Sequence, residues 1–183
     1  MSKLNEFIGL LAGRFNNAGQ FEAKQKAGQP FPYAEHVNTV CNDKIKNLPP
    51  DFAGVFMVEE SYYTTGGKTH PAHHLFLFTE EPEGIRLTSY EVPAGYGKDS
   101  FTYANLQPVD YAELKPSAKF TPALYTEKDG VWEGGSVSHF SPVLTFTLFE
   151  RFSSDCLEVT ETMEMKGKPT FGYGEPILYK RAQ

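Results

Sequence analysis

Residues 129–165 read DGVWEGGSVSHFSPVLTFTLFERFSSDCLEVTETMEM, and this stretch decides the fold class. Three runs within it, Val131 to Val137, Val143 to Phe152 and Leu157 to Met165, keep the two-residue period of a strand whose side chains alternate between faces. Asp129-Gly130 is a dipeptide suited to a two-residue hairpin loop, and Ser153-Ser154-Asp155 offers a second reversal. Successive strands are therefore expected to be antiparallel neighbours.

The same period extends outward from this core. It marks strand candidates at Tyr33 to Cys41, Val55 to Tyr63, His73 to Phe78, Ile85 to Val92, Ala123 to Glu127 and Glu175 to Lys180, with Glu81-Pro82-Glu83-Gly84 fitting another hairpin turn. Strands in series without alternating helices predict an all-β meander. Closing the sheet removes exposed edges, and a barrel of roughly eight to ten strands can enclose one small ligand. A barrel is the expected architecture, with a sandwich as its rival. Ahead of the strands, Ser2 can cap a short helix in which Leu4, Phe7, Ile8, Leu11 and Phe15 share an apolar stripe, suited to a lid or plug. The stretch through Gln29 is polar, and the interval from Pro93 to Pro122 breaks the rhythm, with one helical turn expected around Val109 to Leu114.

Composition narrows the function. A chain of 183 residues is the size of one domain, read here as 1–183, and its 40% apolar and 14% aromatic content is that of a folded protein. A net charge of −6 and the absence of a Lys/Arg run leave no footprint for nucleic acid. Cys41 and Cys156 are read as reduced thiols of a cytoplasmic protein. The apolar run from Phe7 to Ala12 is too short to span a bilayer and follows Asn5-Glu6 rather than positive charge, so neither membrane nor secretion signal is expected.

Alternation places Val55, Met57, Glu59, Ser61 and Tyr63 on one face of their strand and Phe56, Val58, Glu60 and Tyr62 on the other. A carboxylate among apolar neighbours is costly without a partner, which makes an inward glutamate a candidate ligand contact; the alternative is one Glu in water and the other paired. The cluster His70-Pro71-Ala72-His73-His74 is read as a polar loop entering a strand, because adjacent strand histidines face opposite ways and no Cys or Asp completes a metal site. His36 and His139 are isolated. Gly134-Gly135-Ser136 is not a nucleophile elbow, and no phosphate- or dinucleotide-binding glycine pattern occurs. What stands out is a surplus of strand aromatics, most of them core packing, with Tyr and Trp also suited to a pocket for a flat conjugated ligand.

Four stretches carry a resemblance. Leu11-Ala12-Gly13-Arg14-Phe15-Asn16-Asn17-Ala18-Gly19-Gln20 is similar to a Gly-x-Phe-x-Asn-x-x-Gln signature, and Pro30-Phe31-Pro32-Tyr33 opens the first strand. Val58-Glu59-Glu60-Ser61-Tyr62 is similar to an apolar-Glu-Gln-x-Tyr motif, and Asp129-Gly130-Val131-Trp132-Glu133-Gly134 to an Asp-Gly-x-aromatic-x-Gly hairpin. In this order, spread over most of the chain, they resemble the T-type phycobiliprotein chromophore lyases, which help attach open-chain tetrapyrroles to phycobiliprotein cysteines. The resemblance implies a lipocalin-like (calycin) antiparallel barrel with an N-terminal helix. It implies a phycobilin such as phycoerythrobilin as bound substrate, a phycobiliprotein subunit as acceptor of the thioether, no further cofactor, and a cyanobacterial, plastid or phage-infected setting.

On that resemblance Glu59 is the catalytic candidate, meeting pyrrole N–H groups and protonating the conjugated system. Arg86 would serve the propionates beside Tyr90, and Tyr33, Tyr62 and Trp132 would supply aromatic walls. Three departures stand out. Glu60 replaces the motif's Gln, no Gly-Cys pair occurs around Ala123-Leu124-Tyr125, and Gly172-Tyr173-Gly174-Glu175-Pro176 lacks a Trp-Gly. A thiol adduct on the chain itself thereby loses its residue. A regular strand sends Glu59 and Tyr62 to opposite faces, so both line one pocket only across a bulge or bend. The other readings are a non-catalytic lipocalin-like carrier of a bilin or other hydrophobic small molecule, and a fully packed assembly protein; an exposed aromatic stripe would be the seed of a homodimer.

Overall fold

The structure is a computed structural model that describes residues 2–182. In chain order its elements are α1 (Lys3–Leu11), β1 (Gly13–Asn16), α2 (Ala18–Lys26), β2 (Tyr33–Val40), β3 (Ile45–Lys46), β4 (Val55–Thr65), β5 (Lys68–Glu81), β6 (Gly84–Tyr90) and β7 (Val109–Asp110). The second half holds β8 (Ala123–Lys128), β9 (Val131–Ser141), β10 (Leu144–Phe152), β11 (Leu157–Met165), β12 (Lys168–Phe171) and β13 (Ile177–Arg181). Ten strands pair in the ring β10-β9-β8-β6-β5-β4-β2-β1-β13-β11, and β10 meets β11 again to close it. The result is a closed antiparallel barrel with β12 as an extra strand on β11, and β3 pairs with β7 outside it. The expected all-β barrel is thus the observed fold.

Turn chemistry sets the register. Asp129 and Gly130 both take positive φ, and so do Gly66-Gly67 and Lys166-Gly167. These pairs are the tight hairpins β8–β9, β4–β5 and β11–β12. The first was expected. Gly66-Gly67 carries β5 back to Lys68, five residues ahead of the expected start at His73.

Helix α1 plugs the barrel. The Ser2 hydroxyl accepts from the Asn5 N–H at 3.2 Å, and Leu4, Phe7, Ile8 and Leu11 are buried. The helix ends at Leu11 rather than running to Phe15, because Gly13 takes φ +132° and turns the chain into β1. Phe15 still points inward, from β1, the strand that joins β2 to β13 and completes the ring. The Arg181 guanidinium donates to the carbonyls of Ala12 (2.7 Å) and Leu10 (3.0 Å) at the helix's C-terminal end and lies 4.7 Å over the Phe15 ring.

The Gly-x-Phe-x-Asn-x-x-Gln stretch therefore does more than end a helix. Asn17 is 1% exposed; its amide donates to Pro32 O (3.0 Å) and accepts from Ala34 N–H (2.8 Å), tying the entry to β2. Gln20, on α2, donates to Pro176 O (2.9 Å) and accepts from Leu178 N–H (2.9 Å), holding the approach to β13. Asn17→Ala is expected to lower folding stability by about 2 kcal/mol, about 1 for each lost bond, measured by urea unfolding. A change below about 0.5 kcal/mol would mean the two bonds are replaceable by water.

Two cores result. One fills the barrel around Phe7, Met57, Phe78, Tyr125, Trp132, Phe152 and Tyr179. The other lies outside, where the irregular segment after β6 folds over β4 and β5 and buries Cys41, Phe56, Val58, Leu75, Leu77, Phe101 and Leu106. That segment is the Pro93 to Pro122 break in the strand rhythm, and its helical turn is a single turn at Tyr111–Glu113. Gly134 lets the Tyr125 ring lie against β9, since a Cβ there would meet its Cδ1 at 2.6 Å.

Candidate functional site

A cavity of about 600 Å³ opens at the barrel end away from α1. Its wall is aromatic. Phe140 and Phe146 stack at 5.7 Å, Phe120 stands edge-on to both, and Met163, Phe171 and Tyr173 complete the lining. Lys98 and Lys119 stand at the rim, with the Lys119 ammonium 4.1 Å above the Phe140 ring centre. Glu161 and His74 reach it from the floor, where the Tyr63 hydroxyl donates to the Glu161 carboxylate at 3.2 Å.

Below the floor the interior is acidic. Glu59, Glu150 and Glu161 share a void of about 20 Å³. Glu59 and Glu150 are 8% and 6% exposed, while Glu161 is partly buried. Each accepts from a hydroxyl: Glu59 from Ser61 (3.2 Å), Glu161 from Tyr63, and Glu150 from Tyr125 in a short bond. Burial raises all three, most of all Glu59, which the Glu150 and Glu161 charges push further above the usual carboxylate range. Glu150 is pushed up to about 7 by burial, with Glu161 adding to it and the Tyr125 hydrogen bond opposing. Beside them His36 is fully buried, 3.8 Å from Glu59, and burial holds it neutral, down to about 3. His74 is the cross-strand neighbour of Glu59; burial and then the His73 charge bring it to about 4.

The six residues singled out in the sequence do not meet in one place. Glu59 faces the interior but lies under the cavity rather than in its wall. Trp132 also faces inward, edge-on to Phe7 at the plugged end. The other four face outward. Tyr62 donates to Glu60 (3.0 Å) and stands edge-on to His73; burial, then the Glu60 bond, raises it to about 12. No bulge interrupts β4 between Glu59 and Tyr62, so strand alternation separates them. Tyr33 packs edge-on to Phe21 of α2, and Tyr90 meets Phe56 in the outer core. Arg86 is paired with Glu81 (Nη2 to Oε2, 2.8 Å).

The residues not singled out are Glu150, Glu161 and the Phe120, Phe140 and Lys119 group. The two acids carry a sequence signal: in Leu148-x-Glu150-x-Phe152 and Val159-x-Glu161-x-Met163 a carboxylate interrupts an apolar face, as Glu59 does. The histidine cluster splits across the sheet: His74 faces in, while His73 faces out with Nδ1 2.7 Å from Phe101 O. Cys41 is a free thiol buried in the outer core and raised by burial to about 12, and Cys156 is free; no cysteine lines the cavity among the described residues.

The class that fold and cavity define is a plugged antiparallel barrel with an aromatic mouth above an acidic interior. No family model, curated protein or solved structure matches the chain. Among the described residues no helix is long and apolar enough to cross a membrane.

Proposed function

We propose that the chain binds an open-chain tetrapyrrole in the mouth cavity and presents it for thioether attachment to a cysteine of a phycobiliprotein subunit. The observation that carries the reading is the cavity's composition: aromatic walls, a carboxylate at the floor and ammonium groups at the rim. Its volume of about 600 Å³ lies within the range of ligand pockets, and aromatic rings left facing water gain by being covered. Conjugated rings lie against Phe120, Phe140 and Phe146, pyrrole N–H groups donate to Glu161, and propionates reach Lys98 and Lys119. In this reading Glu161 and Lys119 take the roles expected of Glu59 and Arg86. Attachment needs no oxidant and no leaving group: the S–H bond and a carbon–carbon π bond on the vinyl side of the pigment break as the acceptor sulfur bonds to that carbon, and the thiol proton ends on the pigment. Holding the pigment in one orientation supplies the rate.

Titration with phycoerythrobilin is expected to give a red-shifted, sharpened absorption band. Lys119→Glu, which puts a negative charge beside the propionates, is expected to weaken binding about tenfold, the equivalent of about 1.4 kcal/mol. An unchanged spectrum would sink the reading. One observation favours a carrier without attachment chemistry: Glu59, the acid that the resemblance singles out, lies beneath the cavity rather than in it. Adding acceptor subunit to the loaded chain separates the two, since a carrier leaves the pigment extractable and a lyase leaves it covalently bound.

A further inference from the structure

Three carboxyl groups converge on a void that no Lys or Arg lines among the described residues. At about 20 Å³ it has room for one water. Apart from the three acids its lining is apolar, and the groups that meet the acids themselves are hydroxyls and neutral rings. Tyr125 (β8) donates to Glu150, Tyr63 and Ser61 (β4) donate to Glu161 and Glu59, and His36 (β2) and His74 (β5) flank Glu59. Three carboxylates this close, with no cation among them, repel one another strongly at interior dielectric, so protonation is the economical state.

Two further observations bear on these acids. His36 is 1% exposed, yet neither of its ring nitrogens has a hydrogen-bond partner, and Nδ1 lies 3.8 Å from Glu59 Oε2. A buried imidazole costs free energy in that state unless a small hydrogen-bonding guest sits against it. Glu161, for its part, lines both the void and the mouth cavity. It is the side chain through which the inner acids meet the ligand.

We propose that Glu59, Glu150 and Glu161 store protons beneath the cavity, and that Glu161 delivers one to a basic nitrogen of the bound tetrapyrrole and is refilled from Glu59 or Glu150. The delivery step rests on the tetrapyrrole reading above. The Glu161 O–H bond breaks as an N–H bond forms on the pigment, which becomes cationic while Glu161 becomes anionic. An O–H bond on Glu59 or Glu150 then breaks as that of Glu161 re-forms, and the negative charge moves inward. Charge is conserved at both steps. The pigment is left cationic, which makes its vinyl side more electrophilic toward a thiolate.

Infrared spectroscopy of the full chain at neutral pH tests this, because a protonated carboxyl and a carboxylate absorb separately. The ligand-free protein is expected to show a buried carboxylic-acid band, and Glu59→Gln and Glu150→Gln are each expected to remove one group's share of it. Circular dichroism checks that both variants keep the barrel. Adding phycoerythrobilin is expected to consume part of the band while the red-shifted absorption of a protonated pigment appears. No acid band at neutral pH, or a band unchanged while protonated pigment forms, overturns the proposal. Failure of the pigment to bind at all overturns the tetrapyrrole reading instead, and the acid band of the ligand-free chain still decides whether protons are stored.

Discussion

Phe7→Ala is expected to remove about 4 kcal/mol of folding stability, a large share of the net stability of an ordinary domain. The ring is fully buried on the inward face of α1 and lies 5.0–5.3 Å, centre to centre, from Phe78, Tyr125, Trp132 and Phe152. Those four residues sit on β5, β8, β9 and β10, so one side chain ties the plug helix to four strands of the ring. Truncation to Ala leaves a cavity walled by rigid aromatics that cannot collapse into it, which places the cost in the upper part of the range for such changes. Edge-on aromatic geometry adds to the area lost from burial. Equilibrium unfolding in urea measures the loss. The single tryptophan, Trp132, is 3% exposed and edge-on to Phe7, so its emission reports the same event as a red shift in the folded variant. A loss below about 1 kcal/mol would show that α1 is a lid resting on the barrel rather than part of its core.

The sequence made the fold legible wherever period two coincided with a turn dipeptide, as at Asp129-Gly130 and the long strands on either side. It hid the pieces that lack that pairing. β1 is four residues, Gly-Arg-Phe-Asn, with a single apolar side chain, too little for alternation to register, yet it closes the ring. α2 buries no residue and has no apolar stripe, so it reads as a polar connection; tertiary hydrogen bonds through Gln20 give it its place. The start of β5 is polar because it rims an open mouth, and only Gly66-Gly67 announces the hairpin.

The site was legible in kind and not in place. An inward glutamate on β4 was readable from its apolar neighbours, but the same reasoning had to be applied to β10 and β11 to find Glu150 and Glu161. The aromatic wall could not be chosen from more than twenty candidates, because a residue's face depends on a register that only pairing fixes. Tyr62, Tyr33, Tyr90 and Arg86 all fall on outward positions for that reason. Tyr90 still looks like an interior residue in the sequence, because the segment after β6 gives this side of the sheet a second apolar core.

Glu150→Gln is expected to stabilise the protein at alkaline pH and to leave it unchanged at acid pH. The folded state raises this carboxyl from its ordinary 4.5 to about 7. Between those values the folded chain holds a proton there that the unfolded chain has released, and stability falls wherever the unfolded state binds fewer protons. The contribution is therefore fully present below about pH 4.5, is lost as pH rises, and is gone above about pH 7, a span worth roughly 3 kcal/mol. Gln cannot ionise and its carbonyl oxygen still accepts from Tyr125, so the variant escapes the loss while keeping the hydrogen bond. Glu59 and Glu161 remain and are raised in the same direction, so some decline with pH persists. Glu81, held down first by its hydrogen bond to Arg86, acts in the opposite sense at lower pH and is the same in both chains. Urea unfolding at about pH 5 and about pH 8 measures the difference. Curves for the two proteins that run parallel across that interval would place the ionised carboxylate of Glu150 comfortably inside the barrel, and with it remove the reason for the interior acids to hold protons.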